Sequence, residues 1–475
     1  MASATAKRAA TLPTTVSAAR SAASRRSSYR RRAIRSDLLV IGFWASGALA
    51  AALYLLTGGA KLFSTPAAIV TSLGIVTGLI GTDFILAMLV LAARVPAIDR
   101  AIGHDRAMAL HRALGKPALY LILAHAVLLL LGYAATAHVD LVAQTVSLWN
   151  TPDMPIAFLG TGLLIAVVVT SLVAVRRKFS YEAWHIVHLL SYAAVLFALP
   201  HQLSVGGVLA QGTAQRVYWI ALYVLALGSI ITFRFVEPVV STLRHRLRVD
   251  LVEKIAPGVV SIHLRGNSLR ALESSGGQFF VWRFWTPRTW WHAHPISLSA
   301  VPTDSAARIT VRDLGTGSKQ LGRVPRGTFV SFEGPYGLFT DAARTAPKLA
   351  IIAAGIGITP VRALLEHSTL GPGEATILLR ASTEDETYLW DEMQELATSK
   401  GAKLYTTIGP RSRRAPQWMA SADASRGVTL RSIFPWLNDS DVFICGPQAW
   451  TDLVEAEVLR SGINAHQVHT ERFDW

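Results

Sequence analysis

Six long apolar stretches fill the first half of this chain, at roughly 37–57, 69–93, 112–133, 155–175, 183–200 and 216–236. A helix crossing a hydrocarbon layer needs about 20 apolar residues, and each stretch reaches or nearly reaches that length. The first half is therefore limited to a membrane helical bundle. The fifth stretch is the shortest and begins beside Glu182 and Trp184, near an interface. Only 16% of the chain is charged, and those charges gather outside the apolar stretches.

Charge gives the stretches their sides. The net charge is +15, and nine Lys/Arg fall in residues 1–36, which hold no acid. That tail is rich in Ala, Ser and Arg, cannot bury a core and is expected to be disordered. A basic tail can serve nucleic acid, but one placed just before an apolar stretch fits the cytoplasmic side, beside anionic lipid. It lacks the apolar core and cleavage site of a secretory signal. Arg94, Arg100, Arg106 and Arg112 mark the second loop, and Arg176, Arg177 and Lys178 the fourth. Arg244, Arg246 and Arg248 follow the last stretch. The opposite loops hold Lys61 alone. Basic loops stay inside, so both termini are expected in the cytoplasm of a multi-pass cell-membrane protein. The single cysteine, Cys445, excludes an intrachain disulfide and a multi-Cys iron–sulfur site.

Two histidine pairs lie inside the apolar stretches. His111 and His125 are 14 residues apart, and His188 and His201 are 13 apart. Either gap spans about 20 Å of helix. Two helices with such pairs could hold two metal-centred groups at two depths, each between one histidine from either helix. Fourteen residues is about four turns, so His111 and His125 share a face. Thirteen residues is about 3.6 turns, which rotates His201 away from His188 unless the helix is irregular; Pro200 is a source of irregularity. His185 competes with His188, and Asp83 is a further intramembrane ionisable residue, suited to a proton or to a plain hydrogen bond.

From about residue 245 the pattern becomes short alternating runs broken by Gly and Pro. GGQFFVWRF (276–284) leads into HPISLSA (294–300), then VRDLGTGSKQL (311–321) and FEGPYG (332–337). A strand-rich unit of about 100 residues without helical periodicity predicts a small antiparallel barrel. Beyond it, KLAIIAAGIGITPVRALLEH reads as strand, Gly turn and helix; ATILLRAS and DVFICGPQAW add strands. That alternation predicts a parallel α/β sheet with a ligand crevice at the strands' carboxyl ends.

These segments resemble the ferredoxin–NADP reductase module. HPISLS is similar to its flavin motif, and AGIGITP and CGP are similar to its nicotinamide-nucleotide motifs. With the six stretches and the histidine pairs, residues 37–475 resemble the ferric reductase / NADPH oxidase family. The resemblance implies four parts: a basic tail at 1–36, a haem-binding membrane domain at 37–240, an FAD-binding barrel at 241–343 and an NAD(P)H-binding domain at 344–475. It implies two b haems, with His111 paired to His188 and His125 to His201. His294, Pro295, Ile296, Ser297 and Ser299 would line the flavin, and Gly315, Thr316 and Ser318 would hold its pyrophosphate. Gly355, Gly357, Thr359 and Pro360 would bind the nucleotide pyrophosphate. Cys445, Gly446 and Pro447 would approach the nicotinamide. Glu471 and Phe473 match the family's carboxyl end, with Phe473 or Trp475 stacking on the flavin. Arg380, with Arg411, Arg413 and Arg414, would suit a 2′-phosphate, favouring NADPH over NADH.

The expected function is a transmembrane reductase. Electrons pass from cytoplasmic NAD(P)H through FAD and two haems to an outside acceptor, ferric chelates ahead of dioxygen. Oxidase members often carry a histidine where this chain has Leu129, which favours the chelates. Other readings are a superoxide-producing oxidase, a nucleotide-gated ion or proton conduit without haem, and a flavin reductase merely anchored by its helices. No EF-hand loop is present to confer calcium control.

Overall fold

The structure is a computed structural model that describes residues 14–471 apart from 57, 180, 206, 273 and 415. It divides into two units. One is Arg35–Val236; the other joins the residues up to Ile34 with Glu237–Trp475.

The membrane unit is helical. In chain order it holds α1 (Thr14–Leu56, entered from the other unit), α2 (Pro66–Ala92), α3 (Pro96–Ile102), α4 (His104–Ala137), α5 (Leu141–Trp149), α6 (Met154–Ser171), α7 (Val173–Arg176), α8 (Tyr181–Ser204) and α9 (Ala214–Ile231). Six helices are long and apolar enough to cross a membrane, as expected: α1, α2, α4, α6, α8 and α9 with its extension. The tail expected to be disordered is helical from Thr14 onward, continuous with the first span. Its Ala and Arg are strong helix formers, and a span already nucleated propagates cheaply into them.

Small residues set the packing. A Cβ on Gly74, Gly78 or Gly81 of α2 would strike Leu129, His125 or Ile122 of α4, and one on Gly132 of α4 would strike Thr71. Bare glycines let two backbones close up where lipid offers no hydrophobic drive. Gly160 of α6 meets the Ala194 carbonyl of α8 in the same way. Outward positions such as Val127, Ile186 and Val224 are apolar and exposed, as a lipid-facing surface requires.

The second unit begins with α10 (Glu237–His245) and six strands: β1 (Arg248–Ala256), β2 (Val259–Arg265), β3 (Phe279–Phe284), β4 (His294–Ser297), β5 (Ala306–Arg312) and β6 (Val330–Tyr336), with α11 (Thr316–Leu321) between the last two. The expected barrel takes the form of two antiparallel sheets, ordered β1-β2-β5 and β4-β3-β6. Single bridges, Arg248 to Phe329 and Leu298 to Ile309, link them. Alternation puts Phe280, Trp282 and Phe284 of β3 into one core with Ile262, Ile309 and Phe332.

The rest is the expected parallel sheet. It holds β7 (Lys348–Ala354), α12 (Ile358–His367), β8 (Ala375–Ala381), α13 (Trp390–Ser399), β9 (Lys403–Ile408), α14 (Ser421–Ser425), α15 (Leu430–Ile433), β10 (Ser440–Cys445), α16 (Gln448–Arg460) and β11 (Val468–Glu471). Strand order is β11-β10-β7-β8-β9. The chain runs outward from β7 to β9 and then returns to β10 on the other side of β7. Such a reversal opens a crevice beyond the strands' carboxyl ends, between β7 and β10.

Candidate functional site

In the membrane unit, α4 and α8 bring the four histidines together in the two expected pairs. His111 and His188 have ring centroids 6.0 Å apart. Two imidazoles on either side of one metal ion, with metal–nitrogen bonds of about 2.0 Å, have centroids about 6 Å apart. His125 and His201 line one cavity of 340 Å³, walled mainly by apolar side chains such as Ile122, Leu129 and Val195. His111 Nδ1 lies 3.0 Å from the Met88 carbonyl and His125 Nδ1 lies 2.8 Å from that of Gly74. A carbonyl only accepts, so Nδ1 carries the proton and Nε2 of the neutral ring keeps its lone pair. Helix α8 continues through Pro200, and His188 rather than His185 faces His111. Trp184 stacks on His188 at 5.0 Å. Among the described residues no group of three or more His, Cys, Asp or Glu converges on a metal position.

The intramembrane Asp83 stands apart from both pairs. It is buried and takes a hydrogen bond from Ser46, which in turn meets the Tyr218 hydroxyl at 2.7 Å. Gln202, next to His201, accepts bonds from Trp219 Nε1 at 2.7 Å and Tyr223 at 3.1 Å.

In the second unit, His294 begins β4 and lies against Gly317 of the GTGS turn. Among the described residues, its buried Nε2 and the buried Ser297 hydroxyl have no hydrogen-bond partner. Burial, aided by His292 and Arg283, pulls His294 down to about 4, so the ring is neutral near pH 7. Orphaned polar atoms at a Gly-lined turn suit a polar ligand such as a flavin. Pro295 and Ile296 pair with Val281 and Phe280 of β3, and the Ile296 carbonyl accepts from Trp282. In the turn, the Ser318 hydroxyl accepts from the Gly315 and Leu314 amides, and Thr316 opens α11.

Ser299, expected to line the flavin, does something else. It is fully buried; its hydroxyl accepts from Arg308 Nε at 3.1 Å and Thr310 at 2.9 Å, and its carbonyl accepts from Arg362 at 2.9 Å. Arg308 also grips Glu392 of α13 with both terminal nitrogens, at 2.9 and 2.8 Å, and Arg362 Nε joins that carboxylate at 2.5 Å. Glu366 closes the network on Arg362 and the Val301 amide. Burial pushes the Glu392 carboxyl up, but its two arginines outweigh that and hold it below the usual range. The flavin-motif strand is thereby tied to α12 and α13. Sequence reading missed this network; its signal was a lone arginine on the apolar face of VRALLEH.

The nucleotide motifs meet at the β7/β10 crevice. Gly355 has φ +54°, and a Cβ on Gly357 would strike the Cys445 carbonyl and the Gly446 amide. AGIGITP and CGP therefore touch, through a glycine that no side chain can replace. Thr359 and Pro360 start α12, and Pro447 precedes α16. Arg312 and Tyr388, also missed, lie beside Gly355, and Arg312 pairs with Glu386 at 2.9 Å. Cys445 is fully buried and register-paired with Glu471; burial, reinforced by Glu471, pushes its thiol up. Arg380 is nearly buried and donates to Ser382 and the Gly409 carbonyl, whereas Arg411, Arg413 and Arg414 are exposed. Phe473 and Trp475 lie outside the described residues.

A helical membrane bundle followed by a nucleotide-crevice module defines a transmembrane NAD(P)H-dependent oxidoreductase. Residues 77–199 match the model of the ferric reductase like transmembrane component, and residues 351–455 match the oxidoreductase NAD-binding domain. Ferredoxin–NADP reductase B of Sorangium cellulosum (strain So ce56) is 34% identical over 171 residues, which are 34% of this chain and 68% of that protein. The ferredoxin reductase component of 3-ketosteroid-9-alpha-monooxygenase from Mycobacterium tuberculosis (strain ATCC 25618 / H37Rv) is 28% identical over 43% of this chain, which spans 56% of that relative. The solved FAD/NAD-binding domain of nitric oxide dioxygenase from Vibrio cholerae O1 biovar El Tor is 22% identical, over 48% of this chain and 98% of that one, with a TM-score of 0.40; that likeness is too distant to carry weight. The chain belongs to the ferric reductase / NADPH oxidase type of fusion, a ferric reductase membrane component joined to a ferredoxin–NADP reductase module.

Proposed function

We propose that this protein moves electrons from cytoplasmic NAD(P)H across the membrane to an outside acceptor, with ferric chelates as the principal outlet. On this reading the parts are a membrane domain over 37–240, a flavin domain over 241–343 and a nucleotide domain over 344–475. The observation that carries the reading is the pairing of four histidines from α4 and α8, two of them held by α2 carbonyls with Nε2 free.

His111 with His188, and His125 with His201, would hold two b haems, and the orphaned His294 and Ser297 atoms with the GTGS turn would hold FAD. Bound there, FAD supplies the conversion of a two-electron hydride into single electrons, and the haems supply one-electron stations through the apolar span. The chain's own residues position and insulate. Gly355 and Gly357 let a pyrophosphate approach backbone amides, and the neutral, buried Cys445 thiol keeps charge away from the nicotinamide. Arg411, Arg413 and Arg414 offer exposed charge for a 2′-phosphate, supporting NADPH, while Arg380 shapes their loop through the Gly409 carbonyl. Each haem would be held by two histidines, so an outside acceptor would be reduced by electron transfer alone. Leu129 in the cavity wall offers dioxygen no polar partner, which favours chelates.

The purified full chain, reduced with dithionite, is expected to give b-type haem absorption at two haems per chain. Absence of that absorption sinks the reading. His125→Leu is expected to abolish outside chelate reduction while sparing flavin reduction by NADPH; equal loss of both contradicts the order of transfer.

A further inference from the structure

Helix α5 has its polarity inside out. It joins two spanning helices through only three residues (138–140) on one side and four (150–153) on the other. On a 3.6-residue helix, Val142, Val146 and Trp149 fall within one arc of about 60°, opposite Gln144 and Leu148. The apolar arc is exposed, with Thr145 and Ser147 beside it: Val142 is 74% exposed, and Val146 and Trp149 are each 54%. Polar Gln144 is buried on the protein side. A helix facing water shows the reverse arrangement. Thr145 and Leu148 line the cavity that holds His125 and His201. Asp140 fixes the start of the helix by accepting from the Val142 and Ala143 amides at 2.8 and 2.9 Å.

We infer that α5 is a lipid-seated lid. Its Val142–Val146–Trp149 face lies in the boundary between phospholipid headgroups and acyl chains, and its other face roofs the histidine cavity. The partner follows from continuity with the spans α4 and α6, which hold α5 at a membrane surface, and from Trp149, a side chain that favours such interfaces. An acceptor that reaches the cavity must pass this helix. The inference rests on α4 and α6 spanning a bilayer and not on what the histidines hold, so failure of the haem spectrum leaves it standing.

The test uses the full chain in phospholipid nanodiscs. Cys445 is buried, so a cysteine introduced elsewhere takes a nitroxide label selectively. The label on Val146→Cys is expected to relax with oxygen and be shielded from a water-soluble nickel chelate, like one on the lipid face of α4 (Val127→Cys). Relaxation by the chelate to the degree seen at Glu395→Cys, on the exposed face of α13, overturns the lipid seat. Val142→Cys repeats the measurement should Val146→Cys not fold. For the lid, Val146→Asp is expected to raise chelate access to a label at Leu148→Cys, the less exposed of the two cavity-lining positions. An unchanged Leu148 label overturns it.

Discussion

His294 combines burial, an orphaned nitrogen and a firm charge state in one side chain. Its pKa is held near 4, below the ordinary 6.5. The unfolded chain therefore binds more protons than the folded one between those values. The stability due to neutral His294 is complete above about pH 6.5 and lost as pH falls through about 4. Thermal melts from pH 7 to pH 4 are expected to show a steeper decline for the wild type than for His294→Gln, and parallel curves would contradict the assignment. HPISLS is a local motif, so the sequence singles out His294 and Ser299 alike. A motif letter says nothing of which hydroxyls are bonded inside the fold, as that of Ser299 is. Its partners Arg308, Arg362 and Glu392 come from three elements, and only the tertiary structure brings them together.

At the scale of elements, the network of Arg308, Arg362, Glu366 and Glu392 joins β5, α12 and α13 to the segment behind the flavin motif. It touches neither proposed ligand and so sets the relative position of two binding surfaces. Removing the Glu392 charge leaves two arginines facing each other with a neutral amide, a change that costs several kcal/mol when partly buried. Glu392→Gln is expected to slow flavin reduction by NADPH about tenfold, since small misplacements of reacting groups cost that much or more. KM for NADPH should stay within about twofold if the nucleotide contacts are untouched. Stopped-flow reduction resolves the two, and a lowered Tm with an unchanged rate would assign the network to stability alone. The elements themselves were readable: six spans from apolar length, and the parallel sheet from alternating strand and helix patterns. Periodicity found the strands of the flavin-motif region but not the pairings that arrange them in two bridged antiparallel sheets. The long α1 was underdrawn, because composition alone cannot say that a neighbouring span will extend into a basic tail.

For the whole molecule, the proposed transfer from an inside donor to an outside acceptor would move negative charge outward. The work is about 2.3 kcal/mol per electron per 100 mV. A cytoplasm-negative potential drives electrons out, so chelate reduction in sealed vesicles is expected to accelerate when that polarity is imposed and to slow when it is reversed. Potassium gradients with valinomycin set the potential, and chelate absorbance reads the rate. Indifference to polarity would place donor and acceptor on one side. The loop arginines are what set this sidedness as an expectation.

The two carbonyls that hold His111 and His125 belong to Met88 and Gly74, which are 14 residues apart on α2. That is the same interval that separates the histidines on α4, read in the opposite direction. Helix α2 thus acts as a ruler laid against α4, graduated at two points. A one-residue insertion anywhere between Gly74 and Met88 would turn one mark away while the other stayed in register. The interval between the two depths is therefore set by a shared length of helix.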